Sequence, residues 1–351
     1  MADRFWVGNG GNWSDNTNHW SDSSGGSPGV SLPTSADDVY FDANSFDTSG
    51  QTVTVDGTAF CKDMNWAGVT DSPTFTVSAN QLNFYGNIVL NITMTLTNFS
   101  LYWYGTSDVN LDLKGKALNN FEMYGTGKVT LTSDFQSLNG IYMNAGTFDA
   151  NGYDVTILKL YTTGTNTRQI DMGSGMWTLT STGTGDVWNV DANTNLTINC
   201  ETSTIVVSGG TSNNKYFYEK GYTYYNIEFT GMGILRFMGG GCTFNNFSVG
   251  VEDTNNRGLT FNAGDTYTIS GTWTHIRAGG TLSMQSDSSG TAFTLSKASG
   301  LVKVVKASIK DSTGSGGATF SAVNSTNVSG NSGWVFSKLA STGIIRLSSN
   351  F

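Results

Sequence analysis

Residues 294–336, TLSKASGLVKVVKASIKDSTGSGGATFSAVNSTNVSGNSGWVF, set a rule that most of the chain obeys. Apolar residues alternate in short pieces (Val302 and Val304; Ala307 and Ile309; Phe320 and Ala322; Trp334 and Phe336), and Gly, Ser, Asn and Asp separate the pieces. Successive strand side chains point to opposite faces, so each piece carries one apolar face. No piece is long enough to bury that face alone, and none has the length of a useful helix. The pieces must stack on one another.

The same grammar runs back to about Thr52. Val53 and Val55 alternate with Thr52 and Thr54, and Phe75 and Val77 with Thr74 and Thr76. Ile88, Leu90, Ile92 and Met94 alternate with Val89, Asn91, Thr93 and Thr95. Val109, Leu111 and Leu113 point one way while Asn110, Asp112 and Lys114 point the other; Val129 and Leu131 repeat the pattern. The units recur about every 20 to 25 residues, inside the range for solenoids. Strand spacing alone also fits a sandwich or a barrel. However, the units continue without a long crossover or helical segment, and hairpin dipeptides such as Asp56-Gly57 and Asn151-Gly152 are few. The expected fold is all-β: a parallel β-helix over residues 51–336, with two or three short strands per coil.

Composition narrows the function. Aromatic residues make up 12% of the 351, which argues against disorder. Charged residues make up 13%, about half the usual share, and the polar remainder is mostly Thr, Ser and Asn. A net charge of −9 argues against a nucleic-acid partner held through phosphates. Cys61, Cys200 and Cys242 are far apart and in no ligand spacing, so they read as buried core residues. Neither His19 nor His275 has a Cys or His near it in the sequence at ligand spacing, so no metal and no cofactor are expected. No run approaches a membrane span. MADRFWVGNGGNW has no apolar core of a secretory signal. A surface-type composition without an export signal fits a virion-surface protein assembled in the host cytoplasm and released by lysis.

Residues 1–50 differ from the rest. Trp6, Trp13 and Trp20 sit among Gly, Asn, Ser and Asp, and Pro28 and Pro33 both fall here. A loop-rich N-terminal cap or attachment segment, tied down by these indoles, would cover an open end of the stack. Residues 337–351 read as a C-terminal tail or an edge strand built on Ile344, Ile345 and Leu347.

The opening words FWVG, GNWSD, HWS and DDVYFD are distinctive. Over residues 145–336 the order GTFxxNGYxVT, WTLTxTGTGxVWN, STIVVS, YYNIxF, TFNNF, AFTLSKASGxV, IKDSxxxGG and GNSGWVF follows. Together they resemble β-helical phage virion proteins, either tail fibre or tailspike-like proteins or head decorations, and related bacterial surface proteins. The resemblance implies a right-handed parallel β-helix displayed on a particle, without a shared catalytic motif. The partners it implies are other virion proteins, a host-surface glycan and further copies of the chain in a homo-oligomer.

Glycan hydrolysis needs two carboxylates about 5–10 Å apart. Asp112, Glu122, Asp134, Asp154, Glu201, Glu219 and Glu228 are the candidates, yet they share no repeating register. Glu228, between Ile227 and Phe229, should face outward. No residue is therefore assigned a catalytic role. The best binding candidates are aromatic: the run Tyr216, Tyr218, Tyr222, Tyr224 and Tyr225, and a second group, Tyr102, Trp103 and Tyr104. Such rings offer faces to sugars or to a protein subunit. Thr52/Thr54 and Thr74/Thr76 can order water, but their uneven intervals count against a regular array. The reading is a structural virion appendage for host attachment or rigidity. A polysaccharide-depolymerising tailspike enzyme and a bacterial surface adhesin are the alternatives.

Overall fold

A computed structural model describes residues 1–77, 81–210, 213–276 and 279–338. The chain is an all-β parallel solenoid of about 13 turns with about 1% helix. One coil shows how it is built. Lys128–Leu131, Phe135–Ser137 and Ile141–Met143 form three sides, and the next coil lays Gly146–Asp149, Val155–Ile157 and Leu160–Thr162 on them in parallel register. Repetition gives a first sheet of ten strands ending at Leu196–Asn199, and a third of 13 strands from Ala59–Cys61 to Thr326–Ser329. Between them in the coil lies a second sheet of four strands, Gly11–Asn12 to Thr95–Thr97. A fourth, from Ala117–Leu118 to Ser312–Ser315, then takes over that place.

Alternation produces the dry interior. Val109, Val129, Phe148 and Ile170 align in register and are buried, while Asn110, Thr130, Asp149 and Asp171 form the neighbouring column. Ile92 departs from the expected inward set and is 70% exposed. The strand Ile88–Val89 has already ended, and Asn91 Oδ1 accepts the Thr93 N–H in a turn, so strand parity no longer applies there.

Farther along, the coil changes form. Cys242–Val249 is long enough to pair with both Thr266–Ile269 and Trp273–His275, so one strand becomes two. A fifth sheet, Leu301–Val305, Thr319–Val323 and Trp334–Ser337, closes the described residues. The tail proposed on Ile344, Ile345 and Leu347 lies outside them.

The boundary expected at residue 50 falls inside the sheets. Asp3–Trp6 lies parallel to Asp38–Tyr40, which lies on Met64–Asn65, so the first coils begin within residues 1–50. The loops between are tied by rings, as the indoles suggest. Trp6 and Trp20 meet edge to face at 5.1 Å, Trp13 and Trp20 at 4.7 Å, and Phe41 stacks on Trp66 at 3.5 Å. All three cap tryptophans are buried. Packed this way they hold the cap together and offer no ring face for attachment.

A tyrosine face on the third sheet

The third sheet carries short strands whose outer residues are read as triplets. Ile141 and Met143 point into the core with Tyr142 between them, and Leu160 and Thr162 are buried on either side of Tyr161. Parallel pairing sets one residue of each strand in a column, Phe60, Asn83, Tyr102, Glu122, Tyr142, Tyr161, Asn189 and Tyr218, of which Asn83 and Asn189 are buried. Just past three of the strands, Tyr85, Tyr104 and Tyr124 form a second ladder, with centroids 5.9 Å and then 5.0 Å apart. Tyr216, paired with Asp186, extends the face on the side of Tyr218.

Polar groups fix these rings. Tyr124 donates its hydroxyl to Glu122 Oε2 at 2.6 Å, and Asn120 Nδ2 donates to Glu122 Oε1 at 2.7 Å. That hydrogen bond, with burial, pushes the Tyr124 phenol well above its usual range. Lys159 Nζ lies 5.3 Å from the Tyr142 ring centroid and 5.9 Å from that of Tyr161, within cation–π reach. Asn83 is only 5% exposed, and its Oδ1 accepts no hydrogen bond from the described residues. Beside the Tyr85–Tyr104 step a cleft of about 380 Å³ opens, lined in part by Lys62, Asp63, Asn87 and Asp108.

The predicted aromatic groups divide. Tyr102, Tyr104, Tyr216 and Tyr218 lie on this face, half-buried. Trp103 and Tyr224 point inward and are fully buried, so neither ring can meet a ligand. Tyr224 accepts from Trp188 Nε1 and donates to the Glu219 carbonyl. Residues 219–222 turn the corner and carry the rest of that run to another side. There Tyr222 donates to the Leu196 carbonyl, and Tyr225 sits exposed in a groove with Glu201 and Asn245.

Phe60, Tyr85, Tyr124, Tyr142 and Tyr161 were not singled out from the sequence. Their signal was a recurrence, since Tyr85, Tyr104 and Tyr124 stand about one coil apart, as do Tyr142 and Tyr161. The threonine columns also align better than their intervals imply. Thr52, Thr74 and Thr95 are in direct register, as are Thr54, Thr76 and Thr97, because uneven loops absorb the difference.

Of the seven carboxylates considered, only Glu122 belongs to the tyrosine column. Glu219 is fully buried, accepting from Met238 N, Gly239 N and the Tyr267 hydroxyl. Burial pushes its carboxyl above the usual range despite those donors. Asp112 pairs with Lys114. Asp134 Oδ1 accepts the Asp154 N–H of the next coil. Glu228, half-buried, lies outward on the fourth sheet as parity required. No group of three or more His, Cys, Asp or Glu among the described residues could hold a metal ion. Compared with protein-family models, curated proteins and solved structures, the chain shows no match.

Proposed function

We propose that the chain is an exposed structural appendage of a phage virion, a tail fibre, tailspike-like projection or head decoration, that works by attachment to a host surface. The observation that carries this reading is the in-register tyrosine face on a stiff parallel scaffold. A solenoid buries a continuous core along its length, so its outer columns can change without loss of the fold. Half-buried tyrosines give a receptor large contact area at little entropic cost, with a hydroxyl at the rim. The pinning of Glu122 by Tyr124 and Asn120 suits a fixed contact better than a group that must exchange protons.

The test is direct. Purified chain should bind host cells saturably, and mass spectrometry of purified particles should find it among the virion proteins. Cells bound no better by the wild type than by a Tyr102→Ala/Tyr142→Ala/Tyr161→Ala variant would remove the attachment role. Absence from particles would remove the virion assignment.

A further inference from the structure

We infer that the tyrosine face takes a neutral linear polysaccharide laid along the solenoid axis, about one sugar ring to each coil. The inference rests on the attachment reading and names its ligand.

Three features select the ligand class. First, the column sets ring faces at coil intervals, Phe60, Tyr102, Tyr142, Tyr161 and Tyr218, with the Glu122 carboxylate among them, while Asn83 and Asn189 are buried between. A pyranose presents that combination, a C–H face that rests on an aromatic ring and an equatorial belt of hydroxyls that bonds to amides and carboxylates. Second, the cleft of about 380 Å³ beside the Tyr85–Tyr104 step is lined in part by Lys62, Asp63, Asn87 and Asp108, groups that can donate to and accept from sugar hydroxyls. Third, every strand from Leu82–Phe84 to Asn214–Tyr218 has a neighbour on both sides. An extended peptide would find no open edge on this face to pair with.

Direction follows from dimensions. Across the face, the three-residue strands such as Ile141–Met143 and Leu160–Thr162 offer one outward residue before the chain turns, and even Asn214–Tyr218 adds only Asn214 and Tyr216 beside Tyr218. Along the axis, eight strands run from Ala59–Cys61 to Asn214–Tyr218, about 33 Å at the ordinary spacing of paired strands. That spacing is close to the advance per ring of an extended pyranose chain, so successive rings stay in step with successive coils. Charge sets the preference for a neutral polymer. Glu122, Asp63, Asp108 and Asp186 lie on or beside the face; Lys62 is paired with Asp38, and Lys159 sits against tyrosine rings. A uronate polymer would meet net negative potential.

Affinity gels cast with soluble derivatives of cellulose, chitin or starch, with alginate as the acidic comparison, test the class using the full chain. Oligosaccharides from the retarding polymer are then titrated by calorimetry. Wild-type affinity should climb with chain length and level off near eight rings, the number of strands in the column. Tyr142→Ala and Tyr161→Ala should each weaken the longest ligand about five-fold, the scale of one aromatic contact. Tyr161→Phe should bind nearly as wild type because the ring face remains. Tyr225→Ala, on another side, should change nothing.

Equal affinity for short and long ligands, stronger retardation by alginate, or alanine variants that bind undiminished would each overturn the inference. The wild-type length series decides the matter even if a variant misfolds. A chain that binds host cells but no neutral polymer overturns this inference and leaves attachment standing; one that binds neither removes both.

Discussion

The two ends of the solenoid solve the same problem differently. At the start, the strand Trp20–Ser21 lies antiparallel on Asp3–Trp6 and covers the outer edge of the first sheet. It is the only antiparallel pair among the described strands. Behind it Trp6, Trp13, Trp20, Phe41, Trp66 and Phe75 form one connected set of ring contacts, joined through Trp6 and Phe41 and all buried. At the other end, all four residues of Thr326–Ser329 are exposed, and Trp334 and Phe336 are only half-buried. A parallel stack always leaves a strand edge at each terminus. Covering it takes a reversal of chain direction and side chains large enough to fill the space beneath. The first 50 residues supply both; residues 326–338 supply no reversal, and their large side chains, Trp334 and Phe336, stay half-buried. In a stack where each coil touches only its neighbours, opening should start at the less covered end.

The strongest way to break this contrast is to empty the closed end. Trp20 is fully buried and donates its indole N–H to the Trp13 carbonyl. Trp20→Ala should cost about 3–5 kcal/mol, the usual penalty for removing a buried indole. Amide exchange should then speed up in residues 3–66 before the last coils, reversing the wild-type order. Unchanged protection at this end would mean that the cap does not hold the edge.

A smaller effect comes from charge. Asp37 accepts the Ala2 N–H, the Thr34 N–H and the Thr34 hydroxyl. Burial alone would raise its carboxyl, but the hydrogen bonds outweigh it and hold the group below the usual range. Its native value therefore lies below the unfolded one, about 3.9. The added stability is present above that pH and is lost as pH falls through the native value. Wild-type melting should drop on acidification below about pH 4, and Asp37→Asn should flatten that slope while costing about 2 kcal/mol at neutral pH. An identical acid slope in the variant would show that other carboxylates control it.

How much of this was readable in the residues depended on where parity applies. Val53, Val55, Val109, Leu111, Val302 and Val304 are buried as alternation required. Ile92 escaped because the turn after a strand resets the phase, and Tyr224 because the alternation breaks inside its own strand, between Tyr225 and Asn226. Register across coils was harder, since loops of uneven length hide it. The tyrosine column depends on pairings that set Tyr142 opposite Glu122 and Tyr161, and no spacing in the sequence states them. Buried cations were also hidden. Arg168 is fully buried, and its guanidinium donates to the carbonyls of Asn166, Thr163 and Thr194, and Lys215 reaches the carbonyls of Thr182 and Gly183. Parity alone puts these long side chains inward. Corner carbonyls, which no pattern of side chains reports, make that tolerable.

The open end supplies the small effects that sharpen the contrast. Trp334 meets Phe320 edge to face at 5.3 Å and donates to Ser312 Oγ. Being half-buried, it has less to lose, and Trp334→Ala should cost about 1–2 kcal/mol. Val335, one residue on, is 59% exposed and in register with Ser321. Val335→Asp should stay within about 0.5 kcal/mol of the wild type by chemical denaturation. A charge there would be costly only if another surface covered the strand. A loss several times that size would therefore show that the last coil is covered in solution, and that the two ends differ in what covers them rather than in whether they are covered.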